Sequence, residues 1–455
     1  MATDAASHNV GVRRLLTATD RRILGLAIPA LGALIIEPLY GVTDTAIVGH
    51  LGRAPLGGLA LAATVLNLLG WTFGFLQMTT TSEVAYRRGR SDHPGVTEAV
   101  VAAYVVAVAL GLLVALVVAT AGPELTRLLG GHGAIQRNAT TYLRISAIGM
   151  PFLLLTLAGT GHAQGHEDTR SPLLIVLIAN IVNVVLEVTL VYGAHLGVAG
   201  SAWGTVVAQV IGAAMFVVVS RRRLATPATA PRRAEYLVLV RNGGALVIRT
   251  IALGAALAAS TAIAAHVGTA TLGAHQIALQ VWLLLALSLD ALAVPAQVYV
   301  GTALGRVDVD DAVGIGARCL RLGLATSVVV GVVTMALAPV LPYVFTDDPG
   351  VRSRAAVALL WCGAQQPFAA VAFVLDGLLL GAGDYGALRR AMLFALLAFA
   401  PFAVATLAHP QLGITGIWLA LTCWLAARAV LLGVRWASRT WAKQLPAEIV
   451  TPART

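Results

Sequence analysis

Charge is scarce in this 455-residue sequence: Asp, Glu, Lys and Arg together make up only 11% of it. A water-facing globule carries roughly 25%, so a soluble domain is excluded. Cysteine is scarcer still. Cys319, Cys362 and Cys423 are an odd number without metal-ligand spacing, which argues against a disulfide framework and a zinc site. No basic segment carries the interleaved aromatics of a nucleic-acid surface, so the formal net charge of +10 does not imply a nucleic-acid partner. The N-terminal stretch lacks a convincing cleavage site. Its first apolar run, after roughly 22 polar residues, reads as a membrane helix and not as a removed signal.

What fills the sequence is apolar: 58% of residues are hydrophobic and the mean hydropathy is +0.83. Val100–Thr120, Leu173–Val191, Val198–Val219 and Leu412–Ala427 each approach the ~20 residues needed to cross a bilayer. These runs are continuous instead of alternating, which fits helices and not barrel strands. Twelve spans are expected, near 23–48, 56–82, 98–120, 139–161, 173–192, 198–219, 242–265, 274–300, 314–340, 355–380, 388–408 and 412–434. Alternate loops are rich in arginine, including Arg87, Arg88, Arg90, Arg170, Arg221–Arg223, Arg389 and Arg390. By the positive-inside rule those loops are cytoplasmic. The expectation is a multi-pass protein of the bacterial cytoplasmic (inner) membrane with both termini inside.

The second half repeats the first at a fixed shift of 216 residues without gaps. His50-Leu-Gly52 returns as His266-Val-Gly268, Pro151-Phe152 as Pro367-Phe368, and Gly161, Gly165 and Asp168 as Gly377, Gly381 and Asp384. An even number of spans per repeat gives both halves the same orientation. The fold class expected is therefore all-α, with two six-helix bundles related by a pseudo-two-fold along the membrane normal, as in one class of secondary transporters. The divisions expected are a cytoplasmic tail at 1–22, bundles at 23–220 and 242–436, a linker at 221–241 and a second tail at 437–455.

Ionisable groups inside a membrane are costly, and they mark transport or proton paths by default. Span one carries Glu37 and Asp44 on one face, with Pro29 and Pro38 interrupting its hydrogen-bond ladder. A cap at the helix end is the alternative role for Asp44, and support of the Pro38 kink that for Glu37. Span five presents Asn180, Asn183 and Glu187 on one face, and span six adds Thr205. Carboxylate, amide and hydroxyl oxygens suit a small cation or a proton network, although interhelical hydrogen bonds would use the same groups. In the second half Arg249, Gln280, Asp290, Gln297 and Asp376 are candidates for a cavity, with an Arg249–Asp290 ion pair as the structural alternative.

The segment Pro29-Ala-Leu-Gly-Ala-Leu-Ile-Ile-Glu37-Pro38 through Asp44-Thr-Ala-Ile-Val-Gly49 resembles the first helix of multidrug and toxic compound extrusion (MATE) transporters, in their DNA-damage-inducible (DinF)-like branch. Gly273-Ala-His-Gln-Ile277, Leu289-Asp290-Ala and Leu375-Asp376-Gly add to the likeness, which runs from about residue 20 to 435. The resemblance implies export of amphipathic or cationic small molecules by alternating access, in exchange for H+ or Na+. It implies no cofactor beyond that ion and no catalysis. Pro29 and Asp44 match the family's first-helix residues, Asn180 and Asn183 its fifth-helix amides, and Thr205 its cation-site threonine. Glu187 stands where the family carries aspartate, which favours H+ over Na+. The partners expected are the bilayer and a small substrate, with the chain a monomer. Alternatives are another twelve-helix solute carrier, a lipid-linked precursor flippase, for which Arg249 is nearly alone as a cavity arginine, and, remotely, a membrane prenyl-transfer enzyme.

Overall fold

The computed structural model describes residues 17–224 and 230–444. Arg13, Arg14 and Arg454, basic residues of the two expected cytoplasmic tails, lie outside these residues, as do parts of the expected linker and tails.

The first repeat comprises α1 (Ala18–Gly49), α2 (Arg53–Phe73), α3 (Phe75–Gly89), α4 (His93–Leu128), α5 (Gly133–Gly165), α6 (Arg170–Val188) and α7 (Val198–Arg223). The second comprises α8 (Arg233–Val267), α9 (Thr269–Gly305), α10 (Val309–Leu337), α11 (Pro349–Ala364), α12 (Gln366–Gly381), α13 (Tyr385–Ala408) and α14 (Gly413–Ala437). Among the described residues eleven segments are long and apolar enough to cross a membrane, α2 and α3 counting as one. The bent pair α11–α12 makes the twelfth. The fold is the expected all-α, twelve-span architecture. Several helices outrun their apolar cores: α4 begins at His93, ahead of the span expected at 98, because Asp92 caps its first turn by accepting from the Gly95 amide. The span expected at 355–380 breaks at Gln365 with a 50° bend, two residues before Pro367, which cannot donate to the helical ladder. Its counterpart Pro151 sits inside the continuous α5.

The repeat holds at the level of single backbone positions. Asp308 caps α10 as Asp92 caps α4. Gly52 and Gly268 both take positive φ (112° and 145°), and Gly197 and Gly413 share φ values of 55° and 53°. A Cβ on Gly161 would lie 2.5 Å from the Gln77 carbonyl oxygen, and one on Gly377 would lie 2.4 Å from that of Ala293. Hydrophobic burial does not drive helix association in lipid, so close backbone approach through small residues does the work. The surface agrees: Leu112, Leu116, Val329, Val332, Leu397 and Val430 are exposed, as a lipid-facing surface requires.

The chain separates into two compact units. One is Gly32–Val247; the other joins Ile248–Thr455 to the segment ending at Leu31. The divisions fall inside α1 and α8 at equivalent repeat positions, so neither helix belongs to a single unit. At the arginine-rich end of the second unit, Asp20 is fully buried at the start of α1. It accepts from Thr17 and Arg321, at 2.8 and 2.7 Å, with Arg318 3.8 Å away. In the first unit, Glu235 at the start of α8 pairs with Arg87 at 2.6 Å. There Asp168 accepts from the Arg170 and Ser171 amides, and Arg223 pairs with it. Burial alone would raise the Asp168 carboxyl, but hydrogen bonds from Ser171 and Arg223 hold it below the ordinary value. A lowered folded-state value means this contact is complete above about pH 4 and weakens only as acid protonates the carboxylate.

Gly161→Val and Gly377→Val should each force a helix crossing apart, costing roughly 1–3 kcal/mol and lowering the melting temperature in detergent. Gly254→Ala, where nothing lies within 4 Å of the added carbon, should leave it unchanged or higher.

Candidate functional site

In the unit Gly32–Val247 the acidic residues of α1 and α6 meet the hydroxyls of α5 and α7. Their meeting follows from a small residue. A Cβ on Gly204 of α7 would lie 3.2 Å from both the Asn183 side-chain oxygen and the Glu187 backbone nitrogen, so α6 and α7 touch along their backbones. Ser201 and Thr205, one turn apart on α7, then face α1. Ser201 Oγ donates to Asp44 Oδ1 at 2.7 Å, and the Tyr142 hydroxyl of α5 donates to Oδ2 at 3.5 Å. Thr205 donates to the Ser201 carbonyl at 3.2 Å, receives the Asn183 amide at 3.5 Å and shares a 2.9 Å hydrogen bond with the Tyr40 hydroxyl of α1. Glu187 is fully buried and interacts with Asp44 through its charge.

The accounting of donors does not close. Both Glu187 carboxyl oxygens and Asn183 Oδ1 are buried without a donor. A buried acceptor left unpaired is expensive, and a buried carboxylate more so. These three acceptors could be served by a proton on the acid pair, a small cation or a water molecule. Among the described residues no group of three or more His, Cys, Asp or Glu side chains is arranged to hold a metal ion.

The sequence candidates divide accordingly. Asp44, Asn183, Glu187 and Thr205 converge. Asn180 instead turns its amide onto the Val176 carbonyl of its own helix, at 2.8 Å. Glu37 and Pro38 are exposed on α1, and α1 stays helical through Pro29 and Pro38. Tyr40, Tyr142 and Ser201 were not singled out from the sequence. Tyr40 had a legible signal, lying one turn from Asp44 on the same face; Tyr142 and Ser201 had none. An open cavity of about 350 Å³ lies in this unit at the end away from the arginine-rich loops, lined by Leu51, Asn138, Thr141, His195 and Val198. Leu51 and Val198 pack in the same apolar layer as Val48 and Tyr142.

The second-half candidates form a different cluster. Arg249 of α8 and Arg428 of α14 both donate to Asp376 Oδ2, at 2.5 and 2.6 Å. Arg249 therefore takes Asp376, and not Asp290, as its hydrogen-bonded partner; Asp290 interacts with both arginines through its charge. Arg428, 2% exposed, lies over the rings of Phe373 and Trp424. It stands alone in an apolar run, which makes it legible in the sequence. Gln297 is buried and Gln280 exposed. Two guanidiniums share the Asp376 carboxylate, and Arg249 Nε and Arg428 Nη1 are buried without a hydrogen-bond acceptor.

A family model described as MatE matches residues 29–189 and again 246–405, one match per repeat. The chain is 31% identical over 435 residues to Protein DETOXIFICATION 44, chloroplastic, of Arabidopsis thaliana, covering 92% of this chain and 82% of that protein. It is 27% identical over 433 residues to DNA damage-inducible protein F of Escherichia coli (strain K12), covering 94% of each. Among solved structures it resembles MATE crystallised in a bent conformation (TM-score 0.87) and in a straight conformation (TM-score 0.85). Each is 20% identical and covers 95% of this chain and 98% of that one, a likeness of fold.

Asp376→Asn should deprive two buried guanidiniums of their hydrogen-bonded carboxylate and destabilise the protein by about 3–5 kcal/mol. Adding Arg428→Met should restore part of the loss, read as the thermal midpoint and the monodisperse yield in detergent.

Proposed function

Because the chain belongs to the multidrug and toxic compound extrusion family, we propose that it is a secondary antiporter. It exports amphipathic or cationic small molecules in exchange for inward H+, by alternating access and with no catalytic step. The observation that carries this reading is the shortage of donors around Glu187 and Asn183 beside Asp44. One proton on the Asp44–Glu187 pair supplies a donor and removes a charge from a buried site.

The same oxygens suit Na+ less well. Asp44 Oδ1 is engaged by Ser201 and Oδ2 faces the Tyr142 hydroxyl. A hard cation with about six oxygen ligands would have to displace these donors. Protonation requires only that a hydroxyl rotate. Loss of the negative charge on Asp44 weakens its bond to Ser201, since a hydrogen bond to a charged acceptor is about twice as strong as a neutral one. The outer half of α1 is then freer to move, and Pro29 and Pro38 remove backbone donors from the ladder that would stiffen it. The driving force suffices: one proton entering down 100 mV releases about 2.3 kcal/mol.

The arginine-rich loops support an inner-membrane orientation with both termini cytoplasmic. The cavity lined by Asn138, Thr141 and His195 would then open to the outside, the side from which protons arrive. We read the chain as working as a monomer.

In proteoliposomes, a pH gradient should drive uptake of a cationic dye by the wild type, and a Na+ gradient alone should not. Asp44→Asn and Glu187→Gln should each cut pH-driven uptake by about tenfold or more, since each removes one titrating carboxyl of the pair. Wild-type rates in Asp44→Asn under the same gradient would overturn the assignment.

A further inference from the structure

Helix α6 does not end as an α-helix. Past Val188 it widens into a π-helical turn, Thr189–Gly193, in which the Ala194 amide reaches back to the Thr189 carbonyl at 2.9 Å. A π-turn is rare, and it re-aims the side chains that follow it. Here it carries Tyr192, whose hydroxyl donates to the Ile47 carbonyl of α1 at 2.6 Å. That carbonyl lies in the last turn of α1, where the ladder has no further amide to offer. The Leu51 and Gly52 amides bond instead to Val48 and Gly49. The π-turn is pinned from behind: a Cβ on Gly200 of α7 would lie 2.8 Å from the Leu190 carbonyl carbon, so α7 holds this backbone in place.

Three contacts thus run along one face of α1 at residues 40, 44 and 47: Tyr40 to Thr205, Asp44 to Ser201, and the Ile47 carbonyl to Tyr192. The first two come from α7. The third comes from the helix that bears Glu187, five residues along. We propose that Tyr192 is a positioning residue for ion coupling: by capping Ile47 it fixes the outer half of α1, and with it Asp44, at one distance from Glu187.

The inference rests on the reading of Asp44 and Glu187 as the coupling pair, and it concerns a residue that touches neither. The groups facing Asp44 are Glu187 from α6, the Tyr142 phenol from α5, the Tyr40 phenol one turn back on α1, and the Ser201 hydroxyl from α7. None is altered by removing one hydroxyl at position 192. Tyr192 is 39% exposed, so phenylalanine keeps the ring's packing and the fold.

The test uses full-length protein in nanodiscs with spin labels at His50→Cys and Leu196→Cys, both exposed sites, in a background free of the native cysteines. Their distance distribution is followed against pH. In the wild type it should change with one midpoint, and in Asp44→Asn it should lose that change. In Tyr192→Phe the distribution should broaden, and the midpoint should move by roughly half to one pH unit, the three- to tenfold shift expected from one lost hydrogen bond. A midpoint and breadth equal to wild type in Tyr192→Phe would overturn the proposal, as would a wild-type distance that does not respond to pH. Drug transport measured separately keeps the two readings apart. Distances that titrate and shift as described, in a protein that moves no dye, would sink the antiport reading and leave the role of Tyr192 standing.

Discussion

A carboxylate sealed away from water must find hydrogen-bond donors or a positive charge among its neighbours, and this chain meets that demand in opposite ways in its two halves. Asp376 receives two guanidiniums on a single oxygen, so its charge is fixed by residues that do not titrate near neutral pH. Asp44 is served only by the hydroxyls of Ser201 and Tyr142, and neither Glu187 carboxyl oxygen has a donor. A group neutralised by arginine keeps its state. A group short of donors can take up a proton, and on the antiport reading proposed above that difference separates a stabilising cluster from a coupling one.

The duplication makes the contrast sharper. Shifted by one repeat, Asp44, Asn183, Glu187 and Thr205 fall on Ser260, Phe399, Ala403 and Leu421; in the other direction Arg249, Asp376 and Arg428 fall on Ala33, Thr160 and Gly212. Close-packed glycines, aspartate caps and positive-φ turns recur in both halves, whereas no ionisable group of either cluster does. The scaffold was copied and kept because helix crossings tolerate few alternatives in lipid. The chemistry diverged because a polar side chain is held by local partners, which each half could change independently.

Most of the architecture was legible in the sequence, since apolar run length and the arginine content of alternate loops are direct consequences of the bilayer. The bend at Gln365 was signalled by Pro367, yet Pro151 at the same repeat position bends nothing visible as a break. A proline sets what a helix lacks, and packing decides whether it breaks. Four of the five proposed coupling residues meet, because a helical face can be read from spacing. Asn180 lies on that face too, and its amide is spent on its own backbone, an outcome spacing does not encode. Partners contributed by distant helices, such as Tyr142 and Arg428, require the tertiary fold.

The boundary between compact units runs through α1 and α8 at matching positions, so each unit is completed by the opening segment of the other repeat. One copy of the repeat alone would leave a vacancy where that segment belongs and an opening segment outside its own unit. Two separate copies could satisfy one another only by trading these segments, as in a domain-swapped dimer. The covalent fusion of the repeats therefore turns what would have been a concentration-dependent exchange between molecules into a permanent feature of one.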